Sequence, residues 1–167
     1  MTIKVWNKAF DELMKSEGGY VNDPNDRGSE TKYGISKRAY PNLDIKNLTL
    51  EQAKDIYYKD YWCVCKCDNL PDAISFMVFD FCVNAGCNRA IKTLQKCVGV
   101  NADGVIGNQT IGACNSANVH KVIEEYTQRK IDFYLSIVER NPNQKHFLNG
   151  WINRVNKIEK ICEGLCQ

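Results

Sequence analysis

Glu17-Gly18-Gly19-Tyr20-Val21-Asn22-Asp23-Pro24-Asn25-Asp26-Arg27-Gly28-Ser29-Glu30-Thr31-Lys32-Tyr33-Gly34-Ile35-Ser36 is the stretch that decides how this chain folds. It begins where an amphipathic helix ends. Thr2 is placed to cap that helix, and Ile3, Trp6, Phe10, Leu13 and Met14 recur at three- and four-residue spacing on one face. Glu17 is the next position on that face, so a carboxylate sits at the C-terminal edge of a buried stripe. Gly18 and Gly19 stop the helix, because glycine enters the left-handed conformation that ends one. From Tyr20 to about Leu48 the helical period is lost. Pro24, Gly28, Gly34 and Pro41, with Asn and Asp between, mark a long loop, with short hairpin strands expected around Tyr33–Ile35. Such a loop is uncommon without a task of its own.

Downstream the chain reads as helix after helix. Thr49 and Gln52 form a capping box for a helix whose face carries Leu50, Ala53, Ile56, Tyr57, Tyr61 and Trp62. Pro71 and Asp72 open a third helix, apolar almost all round from Ala73 to Val83 and interrupted by Ser75 and Asp80. A helix apolar on every side is a central one. Asn84, Ala85 and Gly86 end it, and Asn88 is expected to cap the next, with Ala90, Ile91, Leu94 and Val98 facing inward. Asn101–Gly107 is a turn-rich connector. A short helix follows, then a longer one from Asn118 to about Arg140, broken by Asn141 and Pro142, and a last one from near Trp151 using Val155, Ile158, Ile161 and Leu165. The fold class expected is mainly α, with a long active-site loop or small β-hairpin after helix one. The candidate boundary falls near Gly99, dividing residues 1–98 from 99–167, the two parts packed as one compact unit.

Net charge is +2 over 167 residues. Basic and acidic residues are spread over both halves, which is no nucleic-acid footprint, although a small positive surplus suits an anionic polymer such as cell wall. No apolar run is long enough to span a bilayer, so no stable membrane insertion is expected. Met1–Glu12 has neither an apolar core nor a small-residue cleavage site. Synthesis in a cytoplasm, with action elsewhere only after release, is the expectation. The nine cysteines are odd in number and lack a secretion signal, which argues against a disulfide framework. Cys63, Cys65 and Cys67 alternate, unlike common zinc spacings. Buried small hydrophobes are the expected role, with no metal site and no cofactor.

Cleaving a glycosidic bond requires a proton delivered to a poor leaving oxygen. A carboxylic acid does this if burial keeps it protonated. Glu17 has that setting beside Phe10, Leu13 and Met14. A second carboxylate must orient water or stabilise the oxocarbenium-like charge. Asp26 is the candidate, with Thr31 holding the water; Asp23 and Glu30 compete with Asp26 for that role. Taken singly these residues are ordinary helix-end and turn formers. A calcium loop is the other reading of Asp23, Asn25 and Gly28, but Arg27 occupies its fifth position and Gly34 stands where the bidentate Glu belongs.

The stretch Phe10–Ser36 resembles glycoside hydrolase family 108, the peptidoglycan N-acetylmuramidases found as phage endolysins and bacterial secretion-activator proteins. Glu17-Gly18-Gly19-Tyr20, Asn22-Asp23-Pro24, Asp26, Gly28-Ser29-Glu30-Thr31 and Tyr33-Gly34-Ile35-Ser36 carry the match. Arg27 stands where the family commonly has Pro, Ser29 where it has Gly, and Ser16 where it often has His. Phe79-Asp80-Phe81 through Gly86, with Ala90 and Leu94-Gln95, resembles the family's central helix. Asp103–Gly107 with Thr110 is similar to its predicted peptidoglycan-binding segment, and Phe147, Gly150-Trp151 and Arg154 to its last motif.

The resemblance implies a lysozyme-like helical fold and a muramidase cleaving the β-1,4 bond between N-acetylmuramic acid and N-acetylglucosamine in phage or bacterial lysis. It makes Glu17 the acid, supported by Asp26 and Thr31. Tyr20, Tyr33 and Asn84 are candidates for lining the sugar cleft; the competing roles are core packing for Tyr33 and helix capping for Asn84. The implied partner is bacterial peptidoglycan, met by a monomer at the wall in the periplasm. Two alternatives stand beside this: a lytic transglycosylase, which needs the same acid, and a non-catalytic peptidoglycan-binding module resting on Asp103–Thr110. Inversion of configuration is expected by analogy.

Overall fold

A computed structural model describes residues 2–16, 19–25 and 30–166. Helix α1 spans Thr2–Ser16. Val5, Trp6, Ala9, Phe10 and Leu13 are its buried stripe, with Met14 half-buried. Ile3 departs from the expected face: it is 76% exposed, because the first turn overhangs the core at a surface groove shared with Trp6 and Tyr58. A small antiparallel sheet follows, β1 (Val21–Asn22), β2 (Glu30–Lys32) and β3 (Ile35–Ser36). Thr31 is opposite Val21 on one side and Ser36 on the other. Tyr33 and Gly34 make the two-residue turn between β2 and β3, with φ of 53° and 78°. Positive φ at both central residues matches the twist of a tight hairpin, and glycine takes the second at no steric cost. The Tyr57 hydroxyl donates to the Tyr33 carbonyl at 2.8 Å and ties this turn to the helices.

Helix α2 (Leu50–Tyr57) begins with the expected capping box. The Gln52 amide N–H donates to Thr49 Oγ1 at 3.1 Å, and the Thr49 N–H donates to Gln52 Oε1 at 2.9 Å. Leu50 is 45% exposed rather than part of the buried face, since it occupies the first position of the helix. One wide turn, Tyr58–Trp62, carries the chain on and seats Trp62 in the core, its indole N–H donating to Asp68 Oδ1 at 2.7 Å. Trp6 packs against Phe10, Tyr58, Trp62 and Phe79 at ring distances of 5.2–5.7 Å.

Helix α3 (Asp72–Ala85) is the centre of the molecule. Every residue from Ala73 to Cys82 is buried, Ser75 and Asp80 included. Helix α4 (Cys87–Val98) follows after Gly86, whose φ of 93° turns the chain. Gly86 itself is the N-cap of α4, so Asn88 lies inside the helix rather than capping it. Helix α5 spans Asn108–Ser116 and α6 spans Val119–Arg140, the latter capped by the Asn118 side chain. A 3-10 segment, Pro142–Phe147, leads into α7 (Leu148–Gly164). Helices α1, α4, α6 and α7 all pack against α3, and α6 packs against α7. No described helix is long and apolar enough to cross a membrane.

Four of the seven free cysteines follow the expected pattern of buried small side chains, while Cys97 and Cys166 are half-buried and Cys63 is exposed. Cys65, Cys67, Cys114 and Cys162 are buried. Burial pushes the Cys114 thiol up to about 11 and Cys162 to about 12; burial and then Glu125 push Cys97 to about 12. Such thiols are poor nucleophiles at neutral pH. Cys82 and Cys87 depart from that pattern: they are joined as a disulfide across the α3–α4 turn. The sharp turn at Gly86 brings the two helix ends together, which their spacing alone does not signal.

Candidate active site

Asp80 is an acid in the middle of a wholly buried helix, and an isolated buried charge is costly unless paired. Arg154 from α7 meets it: one guanidinium nitrogen pairs with Asp80 Oδ1. A second nitrogen of the same guanidinium donates to the Ser16 hydroxyl at the end of α1. The Arg154 Nε is buried without a partner among the described residues. Asn84, one turn beyond Asp80, donates from Nδ2 to Asp80 Oδ2 at 3.4 Å. The planar, always-charged fork of arginine suits this double engagement better than a lysine would.

Arg154 and Asn84 line a cavity of about 220 Å³ together with Tyr134, Trp151, Phe133 and Ile137. Its wall is aromatic. Tyr134 and Trp151 stack with ring centres 5.1 Å apart and planes 25° from parallel, and Phe147 extends the row at 5.8 Å. Burial, and then the field of Asp80, push the Tyr134 phenol up to about 12, so it stays neutral at physiological pH. A polar floor of Arg154 and Asn84, held from behind by Asp80, beside flat apolar rings can hold a saccharide, hydroxyls on one side and ring face on the other.

Glu17 and Asp26, the expected acid and its partner, lie outside the described residues, as do Gly18, Arg27, Gly28 and Ser29. Glu17 is the residue bonded to Ser16, the residue Arg154 grips. Thr31 is the half-buried central residue of β2, and its hydroxyl has no partner among the described residues. The two competing carboxylates are both engaged. Asp23 Oδ1 accepts from the Asn25 N–H at 2.9 Å, and Glu30 accepts from the Tyr20 hydroxyl at 2.8 Å. The bond to Glu30 raises the Tyr20 phenol above its ordinary value. Tyr33 is half-buried and packs against the core from the β2–β3 turn. Asn84 is brought to the cavity.

Asp80, Tyr134, Trp151 and Arg154 were not singled out from sequence as site residues. The signal for Asp80 was present: an acid in an apolar helix requires a cation from elsewhere. Two groups of three metal-type donors, each with its atoms within 4.8 Å of one another, occur among the described residues: Cys65, Cys82 and Cys87, and the exposed His120 and Glu163 with the half-buried Cys166. In the first, two of the sulfurs are already bonded to each other.

A mainly α, lysozyme-like scaffold with a small sheet after its first helix and a saccharide-sized cavity defines the class of glycan-processing enzymes. The family model described as "Glycosyl hydrolase 108" matches residues 10–86, and the one described as "Predicted Peptidoglycan domain" matches residues 89–156. Among solved structures, Brucella abortus SagA is similar with a TM-score of 0.84 and 30% sequence identity, over 98% of this chain and 97% of that one. No curated protein matches the chain. The chain belongs to glycosyl hydrolase family 108, with the family's peptidoglycan segment following the catalytic one. It is a glycoside hydrolase of peptidoglycan. The cavity draws on both matched segments: Asn84 comes from the first, and Phe133, Tyr134, Trp151 and Arg154 from the second.

Proposed function

We propose that this enzyme is an N-acetylmuramidase that hydrolyses the β-1,4 bond between N-acetylmuramic acid and N-acetylglucosamine, with Glu17 as the proton donor. The observation that carries the reading is the Arg154 bridge, which joins the end of α1 to the floor of an aromatic-walled cavity. Glu17 follows that anchored residue directly. Asp80 offsets the Arg154 charge, which favours a neutral Glu17 carboxyl. The acid protonates the leaving oxygen as the glycosidic bond breaks. Asp26, aided by the Thr31 hydroxyl, directs water to the anomeric carbon from the opposite face, with inversion of configuration. Tyr20 and Tyr33 contact the strand from the sheet side, and Asn84 donates to a sugar hydroxyl. The enzyme works as a monomer. It is made in a cytoplasm and reaches the wall after release, in lysis by a phage or a bacterium.

The test is mass spectrometry of fragments from digested sacculi, run with the wild type and Glu17→Gln. Hydrolysis yields reducing-end muramic acid, and the variant yields no fragments while keeping its fold by circular dichroism. Anhydro-muramic ends would reassign the reaction to a lytic transglycosylase. A fully active Glu17→Gln protein would remove Glu17 from its role.

A further inference from the structure

The second matched segment carries a groove that the cleavage chemistry does not use. It lies between α4 and α6 with a volume of about 510 Å³. Four cations line it, Arg89, Lys92, Lys96 and Arg129, against a single carboxylate, Asp132. The surplus positive charge lies on α4. Asp132 already accepts from the Gln128 amide at 2.9 Å, while Arg129 is paired with Glu125 at 3.2 Å. Lys92 and Lys96 have no hydrogen bond or ion pair among the described residues. Lys92 does lie in the field of Asp103, on the connector after α4. Arg89 lays its guanidinium over the Phe133 ring at 4.3 Å, which orients it without spending its donors. Positions 89, 92 and 96 follow helical spacing, so the three cations form one row about 10 Å long on the face of α4.

Phe133 joins this groove to the site already described. It lines both the cationic groove and the aromatic-walled cavity. A polymer lying in the cavity is therefore delivered to the row of cations. We propose that the α4–α6 groove binds the carboxylates of the peptidoglycan stem peptide and so extends the glycan cleft onto the peptide part of the substrate. This rests on the reading of the chain as a cleaver of peptidoglycan glycan strands. The chemistry is complementary. A stem peptide attached to muramic acid carries a free carboxylate at its γ-linked glutamate and another at its C-terminus. Unpaired ammonium groups at Lys92 and Lys96 and the guanidinium of Arg89 supply the donors.

The experiment compares two substrates, intact peptidoglycan and the same glycan stripped of its peptides by an amidase. The wild type and Lys92→Gln/Lys96→Gln are assayed on both, and the ratio of the two kcat/KM values is the readout. That preference for peptide-bearing substrate is expected to fall about tenfold in the variant, through KM, and to return in Lys92→Arg/Lys96→Arg. An unchanged ratio overturns the proposal. Nuclear magnetic resonance titration with free stem tetrapeptide is the second arm. Shifts confined to α4 and α6 in the wild type, absent in the glutamine variant, are expected. Shifts elsewhere, or stronger binding of inorganic phosphate at the same residues, overturn it. A wild type that cleaves neither substrate defeats the cleavage reading instead, and the titration still decides what the groove holds.

Discussion

Arg154 couples Ser16, the residue before the candidate acid in the sequence, to the core through a fork that no other basic side chain reproduces. Lysine in its place can reach Ser16 or Asp80 but not satisfy both with fixed geometry. Arg154→Lys is therefore expected to lower kcat/KM about a hundredfold, read by turbidity loss of sacculi. Asp80→Asn acts differently: it leaves the guanidinium uncompensated one residue from Glu17, so the alkaline limb of the pH–rate profile moves to lower pH. Glu12 is a second buried acid on α1, 8% exposed, with Lys157 Nζ 2.5 Å from one oxygen and Lys15 Nζ 3.0 Å from the other. Burial alone would raise its carboxyl, but the two ammonium groups outweigh that and hold its pKa below the ordinary 4.5. A lowered folded-state pKa gives stability that is complete above the unfolded value and lost as pH falls through the folded one. Glu12→Gln is expected to cost about 1–2 kcal/mol in urea denaturation at pH 7. The gap between variant and wild type narrows once pH falls below the unfolded value of about 4.3 and closes when the folded carboxyl protonates, at still lower pH.

At the scale of elements, the capping box on α2 gives a direct number: Thr49→Ala is expected to cost about 1 kcal/mol, read as a lower denaturation midpoint with an unchanged slope. That box was legible in the sequence because both partners lie within three residues of each other. The same locality made the ends of α3 legible at Pro71 and Gly86 and the start of α6 at Asn118. It failed at Asn88, because Gly86 turns the chain and caps α4 before Asn88 is reached. It also failed for the wide turn Tyr58–Trp62, which follows from seating Trp62 against Trp6 and Phe79, contacts made across the fold. The candidate site divides along the same line. The Glu17–Ser36 segment was readable because its residues are contiguous. Trp151 and Arg154 were visible only as a motif, since the meeting of Arg154 with Ser16 and Asp80 spans 138 and 74 residues. A single sequence records no pairing over such distances.

At the scale of the whole molecule, α3 is shared property. Its Phe81 ring meets Tyr126, Phe133 and Tyr134, all from α6, at 5.6–6.3 Å. The Tyr126 hydroxyl donates to the Ala90 carbonyl at 3.0 Å, so α6 is bonded to α4 as well. Helix α7 covers another side of α3. Removing residues 99–167 would expose Phe81 and its neighbours to water, at about 1.5–3 kcal/mol for each large side chain. A handful of such losses equals the whole stability of an ordinary domain, about 5–15 kcal/mol. The same cut removes Tyr134, Trp151 and Arg154 from the cavity. The intact chain is therefore expected to unfold in one calorimetric transition, with calorimetric and van't Hoff enthalpies equal. A fragment of residues 1–98 is expected to show no cooperative melt and no release of fragments from sacculi. A fragment that melts sharply and lyses sacculi would mean that the catalytic machinery is complete without α6 and α7, and that the aromatic wall and the Arg154 bridge serve binding alone.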